Sequence, residues 1–178
     1  MKTKKLHPDQ ILTLNDYPVH NEHILKMYHR MFQKGHTTLV PPLPVVSIAH
    51  GELRLTGKGK KIEKYNALLA HFLVSHPRVK YCLVDGTHKT TAAALCSKHI
   101  RAIVFKTDAD IRAARKMVER GELFSLTTGD TNSVKNATAI LRKHFFKFMF
   151  FETVAEKTER MVKNKAVPGY MIKGYKRR

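Results

Sequence analysis

Between Asn21 and Gly35 the apolar residues Ile24, Leu25, Met27, Tyr28, Met31 and Phe32 recur at helical spacing. This predicts an amphipathic helix with Asn21 as its cap and Gly35 as its stop. A second stripe, Ile62, Tyr65, Leu68, Leu69, Phe72 and Leu73, predicts a helix over residues 61–75 that Pro77 closes. Shorter apolar runs have strand length. QILTLND is one, ending at Asp16, Tyr17 and Pro18, and PPLPVVSIAHGELRLTG reads as two short strands joined at His50 and Gly51. The strand VKYCLVD, a helix beginning near Thr87 and the strand RAIVF then form a strand, helix, strand unit. DADIRAARKMVERG predicts a helix running from an acidic cap to Gly121, and ELFSLTTGDTN a loop. Val134, Ala137, Ile140, Leu141, Phe145 and Phe148 predict a last helix from near Ser133 to about residue 164. VPGYMIKGYKRR reads as a tail that is mobile or ordered only by a partner.

At 178 residues and 43% hydrophobic content the chain can bury one ordinary core, so a single compact domain with appended ends is expected. Residues 1–130 form the predicted domain, with residues 131–178 as a C-terminal helix and basic tail. The charge changes the picture more. With 33 Lys and Arg against 14 Asp and Glu, the net charge of +19 exceeds what solubility needs and favours a polyanionic partner. Two zones carry it, +8 over residues 37–106 and +9 from residue 131 onward, around a nearly neutral stretch. Cys82 and Cys96 suit no zinc motif and sit in strand and helix interiors, which implies a reducing, cytoplasmic setting. The amino terminus lacks the long apolar region of a signal peptide, and no run approaches the roughly 20 apolar residues of a membrane span. No membrane partner is expected.

The candidate chemistry lies in YCLVDGTHKTTAAAL, residues 81–95, where a strand becomes a helix. A helix amino terminus presents unpaired N–H groups and the positive end of its dipole, and Gly86 permits close approach of an anion. Thr87 and Thr90 supply hydroxyls, Lys89 a full charge, and His88 a donor that can handle a proton near neutral pH. Asp85 at the strand end would hold a magnesium ion or orient a hydroxyl. From these residues alone, an ordinary turn capped by Thr87 is the stronger reading. It is not a Walker loop, since the Gly-rich Lys-Ser/Thr pattern is absent.

LVDGTHKTTAAAL followed by IRAIVF resembles the core motif of the ParB/sulfiredoxin superfamily, in which a strand enters a DGxHR-like turn, an Ala-rich helix and a further strand. The helix ending at Gly35 and PPLPVV are similar to the elements that precede that motif. The resemblance covers about residues 11–106 and implies an α/β fold, a mixed sheet with flanking helices. It also implies a phosphate or nucleotide site at Gly86, Thr87, His88, Lys89 and Thr90. Lys89 stands where the family has Arg, which keeps the charge and loses the bidentate fork. Residues 57–77 are longer than the family's usual link, as an inserted helix that would serve a partner or substrate.

Three branches of the superfamily differ at this turn. The sulfiredoxin cysteine precedes the His-Arg pair, and Thr87 stands there instead, so thiol chemistry is not expected. After residue 106 there is neither a helix-turn-helix nor the further nucleotide motif of the chromosome-partition proteins. The free-serine kinases are similar in DGTHK and in RGELFSLTTGD. That likeness implies ATP or ADP with Mg as cofactors, CTP being the nucleotide that the partition branch implies, with Asp85 holding the metal or the acceptor, and Asp85, His88 and Asp16, or less well placed Glu22, as catalytic residues, because phosphoryl transfer is chiefly positioning plus charge stabilisation. Nucleotide-dependent phosphoryl transfer or hydrolysis is the leading expectation. A non-catalytic DNA-binding role is the alternative, with Lys163, Lys165, Lys173, Lys176, Arg177 and Arg178 lying along phosphates. His20, His23 and His29 lack a carboxylate partner at metal-site spacing and read as surface or cap histidines. FFKFMFF, residues 145–151, reads as core or as a homodimer contact of the 133–164 helix.

Overall fold

The computed structural model describes residues 3–14, 21–48, 51–123 and 132–175. In chain order the elements begin β1 (Thr3–Leu6), β2 (Ile11–Thr13), α1 (Glu22–Gln33), β3 (Leu43–Ser47), α2 (Lys60–Ser75) and β4 (Tyr81–Leu83). Then come α3 (Thr87–Leu95), β5 (Ile100–Phe105), α4 (Asp108–Glu119), α5 (Val134–Phe148), β6 (Glu152–Thr153), α6 (Val154–Lys163) and α7 (Gly169–Ile172). One mixed sheet joins the strands in the order β1-β5-β3-β4-β2-β6. The pairs β2/β4 and β3/β5 are parallel, and β1/β5, β3/β4 and β2/β6 are antiparallel. The chain therefore has an α/β fold with helices flanking a mixed sheet, as the alternating pattern predicts.

Side chains of successive strand residues point to opposite faces, and this divides the core in two. Ile11, Val45, Leu83 and Ala102 face a layer containing Leu25, Tyr28 and Phe32 of α1, Ala92 to Leu95 of α3, and Met161 of α6. Leu12, Val46, Cys82 and Ile103 face Tyr65, Leu69 and Phe72 of α2, Ile111 and Ala114 of α4, and Leu141 and Phe145 of α5. The alanines of α3 are almost wholly buried, so small side chains hold this helix close to the sheet, where its amino terminus is set by the end of β4.

The structure corrects several expectations. TKKL forms β1, an edge strand with only Leu6 buried, so it lacks the apolar alternation that marks an inner strand. No strand follows β3 before α2 among the described residues. Residues 51–54 instead make a turn closed by Arg54 N–H to Gly51 C=O, with Leu53 buried. In α1, Ile24 and Met27 are exposed while His29 is buried. The last helix is two helices. Met149 takes the left-handed conformation at φ 53°, the chain then pairs as β6 with β2, and α6 restarts. Thr153 and Glu156 build the restart as a capping box: the Thr153 oxygen accepts from Glu156 N–H, and the Glu156 carboxylate accepts from Thr153 N–H at 2.8 Å. Thr153→Ala should cost about 1 kcal/mol in urea unfolding with an unchanged denaturant slope.

Residues 132–175 pack into the described core. β6 extends the sheet, α5 and α6 cover opposite faces, and Val167 and Met171 are buried in the first core layer. The tail through Tyr175 is thus tied down by the fold's own packing. Among the described residues no helix is long and apolar enough to cross a membrane.

Candidate functional site

The parallel register of β2 and β4 brings their carboxyl ends to one sheet edge, and the antiparallel β3 brings its amino end there too, with Val84 N–H donating to Pro44 C=O at 3.1 Å. The Asp85 turn leaves β4 at this edge. Gly86 adopts φ 109°, ψ 33°, which favours glycine, and a Cβ on it would lie 3.2 Å from Leu43 Cβ. The glycine therefore serves both the turn angle and the close approach of β3. Its N–H donates to Asp85 Oδ1 at 2.6 Å, so the Asp85 carboxylate is fastened to the turn. The first helical bond of α3 is Thr90 N–H to Gly86 C=O at 2.9 Å, which leaves the N–H groups of Thr87, His88 and Lys89 ahead of the hydrogen-bond ladder.

Two helix amino termini meet here. Asn21 caps α1 by accepting from Ile24 N–H at 3.1 Å, and its own N–H donates to His88 Nε2 at 3.2 Å. His88 Nε2 is then an acceptor, which puts the proton of the neutral ring on Nδ1. Tyr28 of α1 lies near the turn. Burial, and secondarily the negative charge of Asp85, push its phenol up to about 12.

Lys89 does not stand out in solvent. It is only 8% exposed, and its Nζ lies 3.4 and 3.5 Å from the carbonyl oxygens of Pro41 and Pro42 at the mouth of β3. Desolvation lowers its ammonium to about 8, against an opposing pull from Asp85. Thr90 is buried, and its hydroxyl donates back to Thr87 C=O at 2.9 Å, so it braces the first turn from within. Asp85, Gly86, Thr87 and His88 are half-buried. The structure thus gathers Asp85 to Lys89 around one edge and turns the Thr90 hydroxyl inward.

Sequence reasoning misses Lys157 as a site residue. This α6 side chain is 3% exposed and its Nζ donates to Leu14 C=O at the carboxyl end of β2. Register aligns Ile11 with Tyr81 and Leu12 with Cys82, so Leu14 lies abreast of Val84 and next to the Asp85 turn. The signal is present in the spacing: Val154, Lys157, Thr158 and Met161 make the buried stripe of α6, and a lysine on such a stripe must find buried partners.

Of the other expected residues, Asp16, residues 124–130 of the GELFSLTTGD stretch, His20, Lys176, Arg177 and Arg178 lie outside the described residues. Lys163, Lys165 and Lys173 are exposed, on α6's end and around α7. The thiols are poor nucleophiles: burial raises Cys82, which sits wholly inside, and pushes Cys96 up to about 11. No group of three or more His, Cys, Asp or Glu suited to a metal ion occurs among the described residues. A separate cleft of about 590 Å³, near the amino ends of β2 and β4, is laced by its own side-chain contacts. Asp9 bridges His7 at 2.8 Å and Arg78 at 2.6 Å, and His76 meets Glu156 at 2.8 Å.

No family model, no curated protein and no solved structure matches this chain.

Proposed function

We propose that the Asp85 turn binds the phosphates of a nucleotide and supports nucleotide-dependent phosphoryl transfer or hydrolysis, in a protein of ParB/sulfiredoxin-like type working in a reducing cytoplasm. The observation that carries the reading is Lys89. A lysine held almost fully buried behind a glycine turn is costly unless it has an anion to meet, and here it lies under a helix amino terminus. Lys157 adds a second buried ammonium at the same edge.

In this reading the N–H groups of Thr87, His88 and Lys89 and the Lys89 charge hold phosphate oxygens. Half-buried Asp85 is the one carboxylate of the turn, and it suits a magnesium ion that arrives with the nucleotide, since such ions take one or two carboxylates plus phosphates and water. The bound ion would offset phosphate charge. His88, with Nε2 turned to α1, has the chemistry to manage a proton at the reacting oxygen.

The test is calorimetric titration with ATP, ADP and CTP in magnesium, followed by a phosphate-release and transfer assay. Asp85→Asn and His88→Ala are each expected to lower turnover by about tenfold or more. Turnover unchanged in both variants, at unchanged binding, would remove the catalytic reading, and no nucleotide binding by the parent would remove the site.

A further inference from the structure

α2 and α5 lie side by side over the second face of the sheet, whereas α1 and α3 cover the first. Tyr65 and Phe146 join them with ring centroids 5.7 Å apart, and Lys61 Nζ sits 4.7 Å from the Phe146 centroid. Both helices are strongly basic on their outer sides. Residues 58–75 carry four lysines and one acid, and α5 carries four Lys or Arg and no acid. Among the described residues, none of these cations forms an ion pair with a carboxylate. Like charges crowded on these two helices repel one another, which costs the fold stability.

The same face has an apolar slot. Along α2 the exposed residues Lys61, Lys64, Leu68, His71 and Ser75 advance by three or four positions, so one strip runs from cations to apolar surface. Leu68, His71 and Ser75 form one wall of a groove of about 230 Å³, and Met149, Phe150 and Phe151 help form the other. Phe150 is 45% exposed, and next to it Phe148 is 37% exposed with Lys147 Nζ 4.9 Å from its ring centroid.

We infer that the α2–α5 face binds single-stranded nucleic acid, with phosphates on Lys61, Lys64, Lys143 and Lys147 and an unpaired base in the groove against Phe150. The cations select a polyanion, and the exposed ring beside them selects one with free bases, because duplex bases are already stacked. This surface is independent of the Asp85 turn. It assigns the positive charge to the helix inserted between β3 and β4 and to α5, not to the tail lysines.

Fluorescence anisotropy of the full chain with a labelled mixed-sequence single strand, as DNA and as RNA, and with the matching duplex across a salt series, tests the assignment. The single strand should bind more tightly than the duplex. Lys61→Glu with Lys64→Glu should weaken it by about tenfold or more and flatten the salt slope. Phe150→Ala should weaken it by about fivefold or more at an unchanged slope. Reversing Lys163, Lys165 and Lys173 should cost less than the α2 pair, and nucleotide turnover should be unaffected by the α2 and Phe150 variants. Equal or tighter duplex binding, an equal loss from the tail reversal, or an indifferent Phe150→Ala overturns the assignment. So does a dimer in sedimentation that dissociates on Phe150→Ala while no strand is bound.

Discussion

Lys89→Met is expected to make the protein more stable at neutral pH while abolishing anion binding at the Asp85 turn. The side chain is 8% exposed, and a fall of its ammonium from 10.5 to about 8 corresponds to roughly 3 kcal/mol of unfavourable charge burial at neutral pH. Methionine keeps the length and removes the charge, so a gain of about 1–3 kcal/mol in unfolding free energy is the expected outcome. The pH dependence has a definite sign. Between about 8 and 10.5 the unfolded chain holds a proton on Lys89 that the folded chain has released, so this group's contribution to stability rises with pH, opposed above about 9 by Cys82, Cys96 and Tyr28, which keep their protons longer in the folded chain. The variant should lack the Lys89 rise, so its stability advantage over the parent should shrink as pH climbs from about 8 to 10.5. An anion prefers the protonated lysine, so the parent's nucleotide affinity should fall as pH rises above about 8, and urea melts paired with titration calorimetry follow both effects. Stabilisation together with a loss of binding of about hundredfold would mark Lys89 as a group kept for its ligand. Equal binding in parent and variant would remove it from the site.

Gly86→Ala acts on the same turn through the backbone. At φ 109° an L side chain is strained, and the added Cβ would sit 3.2 Å from Leu43 Cβ and 3.6 Å from Lys89 Cε. The lysine end can move, whereas Leu43 Cβ is fixed by β3. The strain and the clash together are expected to cost about 2–4 kcal/mol, or about 5–15 °C in Tm for a chain of this size. Gly35→Ala separates the two causes, since Gly35 has φ 77° and a Cβ added there would meet nothing within 4 Å. Its cost should be near 1 kcal/mol, or ~1 kcal/mol less than the lower end for Gly86. If both substitutions cost the same by thermal and urea melts, the turn is not tightly seated on β3.

Much of this architecture is legible in local pattern. The Asn21 cap, the span of α2 and the start of α3 near Thr87 follow from local pattern and the structure agrees with each, except that Gly86 and not Thr87 occupies the cap of α3, with no side-chain capping bond. The division of the last helix is also written locally, as Thr153-Val-Ala-Glu156, a capping box inside an otherwise helical run of apolar residues. Periodicity masks it because Phe145 and Met161 each fit a helical stripe on either side of the break. β1 is hidden for the opposite reason: an edge strand half in solvent has little need of apolar residues. At the site, the residue types of the turn announce an anion, but not the direction of their side chains. Lys89 reads in sequence only as a full charge at the turn, and the approach of Pro41 and Pro42 makes it a buried one.

The amphipathic helices, the inner strands, the excess of positive charge and the Asp-Gly-Thr-His-Lys junction are legible in the sequence alone, because they rest on spacing, composition and backbone preference within a few residues. Tertiary structure decided what those residues face. It set Lys157 beside the carboxyl end of β2, joined Asn21 to His88 across the chain, and gathered the cations of α2 and α5 on one surface. The physical reason is that desolvation and charge proximity depend on which distant segments meet, and that is determined by strand register and core packing.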